Sequence, residues 1–66
     1  MACDRAAAER LVGQARPTDD AARTATGAST VRQIGPGDPV TRDFRVDRVT
    51  IETDPATGRV TAASCG

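Results

Sequence analysis

The densest chemistry in the chain lies in Gly37-Asp38-Pro39-Val40-Thr41-Arg42-Asp43-Phe44-Arg45-Val46-Asp47-Arg48-Val49. Arg42 stands there between the hydroxyl of Thr41 and the carboxylate of Asp43. Pro36 and Pro39 brace the approach, since each proline fixes its own φ. A strand-like run follows directly. An extended, braced segment with a central arginine suits recognition by a partner. It does not suit catalysis by the chain itself. The sequence holds no His and two Cys. Its carboxylates stand singly on turns and strands, apart from Asp19-Asp20, whose place at a helix start already explains them. With no His and no third Cys, no metal site is expected, and no cofactor.

The elements that must position this segment can be read on either side of it. Asp4 is suited to cap a short helix through Arg5-Ala6-Ala7-Ala8-Glu9-Arg10-Leu11-Val12, with Gly13 as its stop. Thr18 opens a second helix. Asp19 and Asp20 fall in its first turn, and it runs through Ala21-Ala22-Arg23-Thr24-Ala25-Thr26 to Gly27. Small alanines let that helix lie close to a sheet. Thr30-Val31-Arg32-Gln33-Ile34 is β-prone and reads as a first strand. Arg48-Val49-Thr50-Ile51-Glu52-Thr53 alternates, so Val49, Ile51 and Thr53 share one face and Arg48, Thr50 and Glu52 the other. Asp54-Pro55-Ala56-Thr57-Gly58 is a turn. Arg59-Val60-Thr61-Ala62-Ala63-Ser64-Cys65 returns as a last, antiparallel strand. The predicted fold class is α+β. A short N-terminal helix and one helix packed on a small three-stranded sheet make two layers. A long exposed loop joins the first and second strands. That connection, residues 35–47, is about a dozen residues long, a length usually associated with function or disorder.

Sixty-six residues imply one domain, residues 1–66, with a marginal core. The large apolar residues are Leu11, Val12, Val31, Ile34, Val40, Phe44, Val46, Val49, Ile51 and Val60, and some of them fall in the loop. Such a chain needs a staple. Cys3 and Cys65 sit near its two ends. They are either two separate buried thiols or a bond closing nearly the whole chain. A bond contributes about 4 kcal/mol by loop-closure entropy and implies an oxidising compartment. Met1-Ala2 leads straight to Cys3 with no apolar run, so Met1 reads as a start added ahead of a mature secreted or periplasmic domain. The formal net charge is zero, and all nine basic residues are Arg. Asp38, Asp43 and Asp47 are interleaved with Arg42, Arg45 and Arg48 and cancel any basic stripe. Neither nucleic acid nor a membrane is expected as a partner.

Cys3, Leu11-Val12-Gly13-Gln14, Val31-Arg32, Pro36-Gly37-Asp38, Val40-Thr41, Asp43-Phe44-Arg45, Asp47-Arg48-Val49, Gly58-Arg59-Val60 and the closing Cys65-Gly66 together resemble the small microbial peptidase inhibitors of family I78. That family is similar in fold to the potato inhibitor I family, which includes eglin c. The resemblance implies a serine protease inhibitor that offers a rigid, substrate-like loop. Pro39, Val40, Thr41, Arg42, Asp43, Phe44 and Arg45 would touch the protease, and Arg42–Asp43 would be the reactive bond. Arg42 suits a primary pocket with a carboxylate at its base, as in trypsin-like enzymes, with subtilisin-like enzymes as the further target. Many family members carry an apolar residue there, and Arg42 departs from that pattern. In the related potato inhibitor families two arginines on the strand after the loop reach back to it. Arg48 matches the first, with Gly66 orienting it. Thr50 stands at the second, where a hydroxyl is too short. A monomer is expected. The plainer reading of the same residues is a non-inhibitory secreted or envelope interaction module. Arg42 and Arg48 are then solvated, and Phe44 belongs to the core.

Overall fold

The computed structural model describes residues 3–38 and 45–66. Two helices, α1 (Arg5–Glu9) and α2 (Asp19–Thr26), precede three strands, β1 (Thr30–Ile34), β2 (Arg48–Asp54) and β3 (Arg59–Cys65). Each helix begins where a side chain satisfies the free amides of its first turn. Asp4 Oδ1 accepts from the Ala6 and Ala7 amides at 3.0 and 3.3 Å. Thr18 Oγ1 accepts from Ala21 at 3.1 Å. Helix α2 ends at Gly27, whose φ of 77° lets its amide turn back to Arg23 O. That left-handed geometry favours glycine.

Helix α1 is shorter than its sequence suggests. After Glu9 the chain tightens into i→i+3 turns, with the Leu11 amide on Ala8 O and the Val12 amide on Glu9 O. Leu11 is buried while Val12 remains about half exposed. The chain then runs alongside β3. The Gly13 amide donates to Val60 O and the Val60 amide to Gln14 O, both at 2.8 Å. An Ala15–Arg59 bridge extends the pairing. Residues 13–15 therefore cover the outer edge of β3 at its start.

The sheet order is β1-β2-β3, with β1 parallel to β2 and β2 antiparallel to β3. Val49 and Ile51 are fully buried on β2, with Val31 and Gln33 beside them on β1. Among the described residues, Ala8, Leu11, Ala22, Ala28 and Val60 join them in the core, and Cys3, Val31, Ala63 and Cys65 pack against it. A bulge between Glu52 and Thr53 shifts the β3 register, so Thr53 faces Val60 while Glu52 faces Ala62. Thr61 is the extra residue. In a regular strand, Val60 and Cys65 would point to opposite faces. The bulge puts both toward the core.

Thr53 shares the core face, and its Oγ1 is buried with no hydrogen-bond partner among the described residues. A buried hydroxyl without a partner carries its desolvation cost uncompensated. Thr53→Val keeps the shape and removes that atom. It is expected to raise stability by about 1 kcal/mol, or roughly 4–8 °C in Tm for a chain of this size. Thermal melts of the two proteins check this, and an unchanged or lower Tm would mean that the hydroxyl is solvated.

Candidate functional site

The connection between β1 and β2 opens with a tight turn. The Asp38 amide donates to Gly35 O at 3.1 Å, and the Gly35 amide donates to Asp38 Oδ2 at 2.7 Å. Pro36 occupies the second turn position, where its fixed φ is already correct. Gly37 takes the third at φ 81°, the positive value that a type II turn requires there. Sequence chemistry alone thus sets how the chain leaves β1.

The far end of the connection is held by more partners. The Arg48 amide donates to Arg45 O at 3.2 Å and closes a turn over residues 45–48. Within that turn, Val46 O accepts from the Cys3 amide at 2.9 Å. Asp47 O accepts from the Ser29 and Thr30 amides at 2.8 and 3.2 Å. The Ser29 hydroxyl donates to Asp47 Oδ2 at 2.9 Å. That hydrogen bond is the main reason the Asp47 carboxyl is held below its ordinary value of 3.8. Its own backbone amide and the nearby Arg45 charge act in the same sense and outweigh desolvation.

Both chain ends come to this point. A Cys3–Cys65 disulfide joins them across 62 residues of sequence, with Cα atoms 5.6 Å apart. The Gly66 amide donates to Arg48 O at 2.7 Å. The Gly66 main-chain oxygen accepts from Arg48 Nε at 3.0 Å and from Thr50 Oγ1 at 2.9 Å. The β2 alternation puts Arg48 on the face away from the core, yet it is only 7 % exposed. Asp4, beside Cys3, donates its amide to Thr26 O, so the N-terminal segment is tied to α2 as well.

Of the residues that sequence reasoning singled out, Pro39, Val40, Thr41, Arg42, Asp43 and Phe44 lie outside the described residues. Arg45, Arg48, Gly66, Cys3 and Cys65 are described, and the structure gathers them at the exit from the loop. Two contacts there were not anticipated. Thr50, assessed only as too short to support the loop, binds Gly66 instead. Asp47, counted only as a charge, is gripped by Ser29 and Thr30. A serine two residues past a helix stop and directly before a strand is a weak signal for such a contact. No group of three or more His, Cys, Asp or Glu among the described residues could hold a metal ion. What the arrangement can do is fix the two ends of a segment in space.

The structure is thus a small α+β scaffold whose cross-linked termini lie beside the turn that leads into β2. The chain belongs to the peptidase inhibitor I78 family, which matches residues 3–66. The crystal structure of the elastase inhibitor AFUEI is similar, with a TM-score of 0.64 and 25 % identity, over 89 % of this chain and 82 % of that one. No curated protein matches the chain. Family and structural neighbour together support protease inhibition.

The Asp47 contact gives the site an acid dependence. A carboxyl whose pKa is lowered on folding stabilises the fold fully above its unfolded value, near 3.8. That contribution is lost as pH falls through the lower, folded value. Asp47→Asn is therefore expected to lower the unfolding midpoint at pH 6 only slightly, because the contact is solvent-exposed, with the small gap from wild type closing as pH falls below that carboxylate range. Paired melts from pH 6 to 2.5 measure this. A gap that stays constant with pH would show that the Asp47 charge contributes nothing.

Proposed function

We propose that this chain is a serine protease inhibitor that presents residues 39–45 as a substrate-like segment, with Arg42–Asp43 as the reactive bond. Arg42 enters the primary specificity pocket, and Pro39, Val40, Thr41, Asp43, Phe44 and Arg45 line the contact. The observation that carries the reading is the family match over residues 3–66. The anchoring of residues 35–38 and 45–48 is consistent with it. A segment whose ends are fixed loses little conformational entropy on binding. After acylation, a leaving side held by the scaffold stays in place and re-forms the bond. Asp43 makes that side a poor product.

The target is proposed to be trypsin-like, extending to subtilisin-like enzymes. The structural neighbour inhibits an elastase by name, and an elastase has a small primary pocket. A guanidinium does not fit such a pocket and pairs instead with a buried carboxylate. The protein is proposed to act as one monomeric domain, residues 1–66, in a secreted or periplasmic setting where its disulfide persists.

Titrating trypsin, subtilisin and elastase with the protein, and with its reduced form, tests the reading. Near-stoichiometric loss of trypsin activity is expected. No inhibition of any serine protease would favour the non-inhibitory interaction module. Arg42→Leu is expected to weaken trypsin inhibition severely and improve inhibition of subtilisin. Unchanged trypsin inhibition would displace the reactive bond from Arg42.

Arg48 is proposed to support the loop from beneath. Arg48→Ala should then speed the appearance of a cut between residues 42 and 43, followed by mass spectrometry. An unaltered cutting rate would remove Arg48 from the mechanism.

A further inference from the structure

We propose that Ser29 and Asp47 form a positioning pair that holds the exit of the inhibitory loop, and that this pair governs how slowly the loop is cut. The inference rests on the reading of residues 39–45 as the protease-binding segment. Asp47 is the last residue before β2, and only Arg45 and Val46 separate it from Phe44. Whatever fixes Asp47 therefore fixes where that segment is delivered.

Asp47 is held through two different groups by two consecutive residues. Its main-chain oxygen takes the Ser29 and Thr30 amides, and its carboxylate takes the Ser29 hydroxyl. The donors sit just after Ala28, a buried core residue, and at the start of β1. The first rung of the parallel ladder, Thr30 with Arg48, follows immediately. The grip thus transmits the position of α2 and the core to the loop exit. It does so independently of the disulfide, which reaches the same turn through the Cys3 amide on Val46 O. Among the described residues, the Arg45 charge acts favourably on the Asp47 carboxylate, and the Ser29 hydroxyl donates to it from the segment that leads into β1.

The side-chain contact is solvent-exposed. An exposed hydrogen bond adds little to global stability because water competes for both partners. It still decides whether Asp47 has one side-chain orientation or several. For an inhibitor that survives by keeping its leaving side in register, local order is the quantity that matters. A positioning role and a purely structural role therefore separate cleanly. The first moves the cutting rate with little change in Tm, and the second moves both together.

The experiment compares Ser29→Ala, Asp47→Ala, the double variant and Ser29→Thr in the full chain. Trypsin inhibition, the rate of cutting within residues 39–45 and the thermal midpoint are each measured. Both single variants are expected to be cut about tenfold faster, the factor matching loss of one charge-assisted hydrogen bond. The double variant should be no faster than either single one, because both remove the same contact. Ser29→Thr, which keeps the hydroxyl, should restore the slow rate. Cutting rates equal to wild type would overturn the proposal. So would additive effects in the double variant, or acceleration that merely follows a falling midpoint. If wild type is cut without inhibiting trypsin, yet the variants are cut faster still, the inhibitor reading fails and the positioning pair stands. If wild type inhibits and the variants do so equally and are cut no faster, the reverse holds.

Discussion

Strands β1 and β2 lie side by side in the same direction. The chain therefore leaves Ile34 at one end of the sheet and must re-enter at Arg48 near the other. Five residues of β1 correspond to about 16 Å that have to be retraced. Parallel neighbours always need a crossover of this kind, and in most folds a helix supplies it. Here residues 35–47 make the return. A segment obliged to exist by topology, with both ends anchored to the sheet, is a natural place to carry a binding sequence. The scaffold needs no insertion to acquire one.

The same sheet must also bring the chain ends to the loop exit, and parity stands in the way. Val60 has to face the core, and Cys65 has to reach Cys3, which packs against that core. They stand five positions apart, so an unbroken strand would turn one of them outward. The bulge at Thr61 resolves the conflict. Beyond it, Ala63 and Cys65 point inward opposite Ile51 and Val49, and Gly66 continues alongside Arg48. One irregular residue thus couples the hairpin's core contact to the disulfide, and the disulfide to the turn that ends the loop.

Much of this was legible in the sequence because it is local. Asp4, Thr18 and Gly27 announce their caps by type and position. Val49, Ile51 and Thr53 announce a buried face by alternation. Pro36-Gly37 announces its turn. The parts that escaped depend on distant partners. Helix α1 reads as running to Val12, but pairing of Gly13 and Gln14 with Val60 pulls the chain out of helix. The direction of β1 against β2 leaves no trace in either strand's pattern. The grip of Ser29 on Asp47 spans 18 residues. The bulge was in principle deducible, since Val60 and Cys65 could not both face inward without it. Arg48 shows the limit of periodicity. Alternation assigns it to the face away from the core, but only the position of Gly66 shows that it is buried there.

A core this small does not by itself make a loop rigid. Among the described residues, its fully buried side chains of any size are Ile51, Val49, Val60 and Thr26, and domains of this length have little stability to spare. Rigidity at the loop exit has a different source. Three main-chain oxygens in succession, those of Val46, Asp47 and Arg48, accept amides from Cys3, from Ser29 and Thr30, and from Gly66. Their donors belong to three separate parts of the chain, and the disulfide joins two of those parts. Each hydrogen bond is modest in net energy. Together they leave the turn little freedom that would not break several at once. Order at residues 45–48 thus has a source separate from the small core: hydrogen bonds from three parts of the chain that converge on one turn.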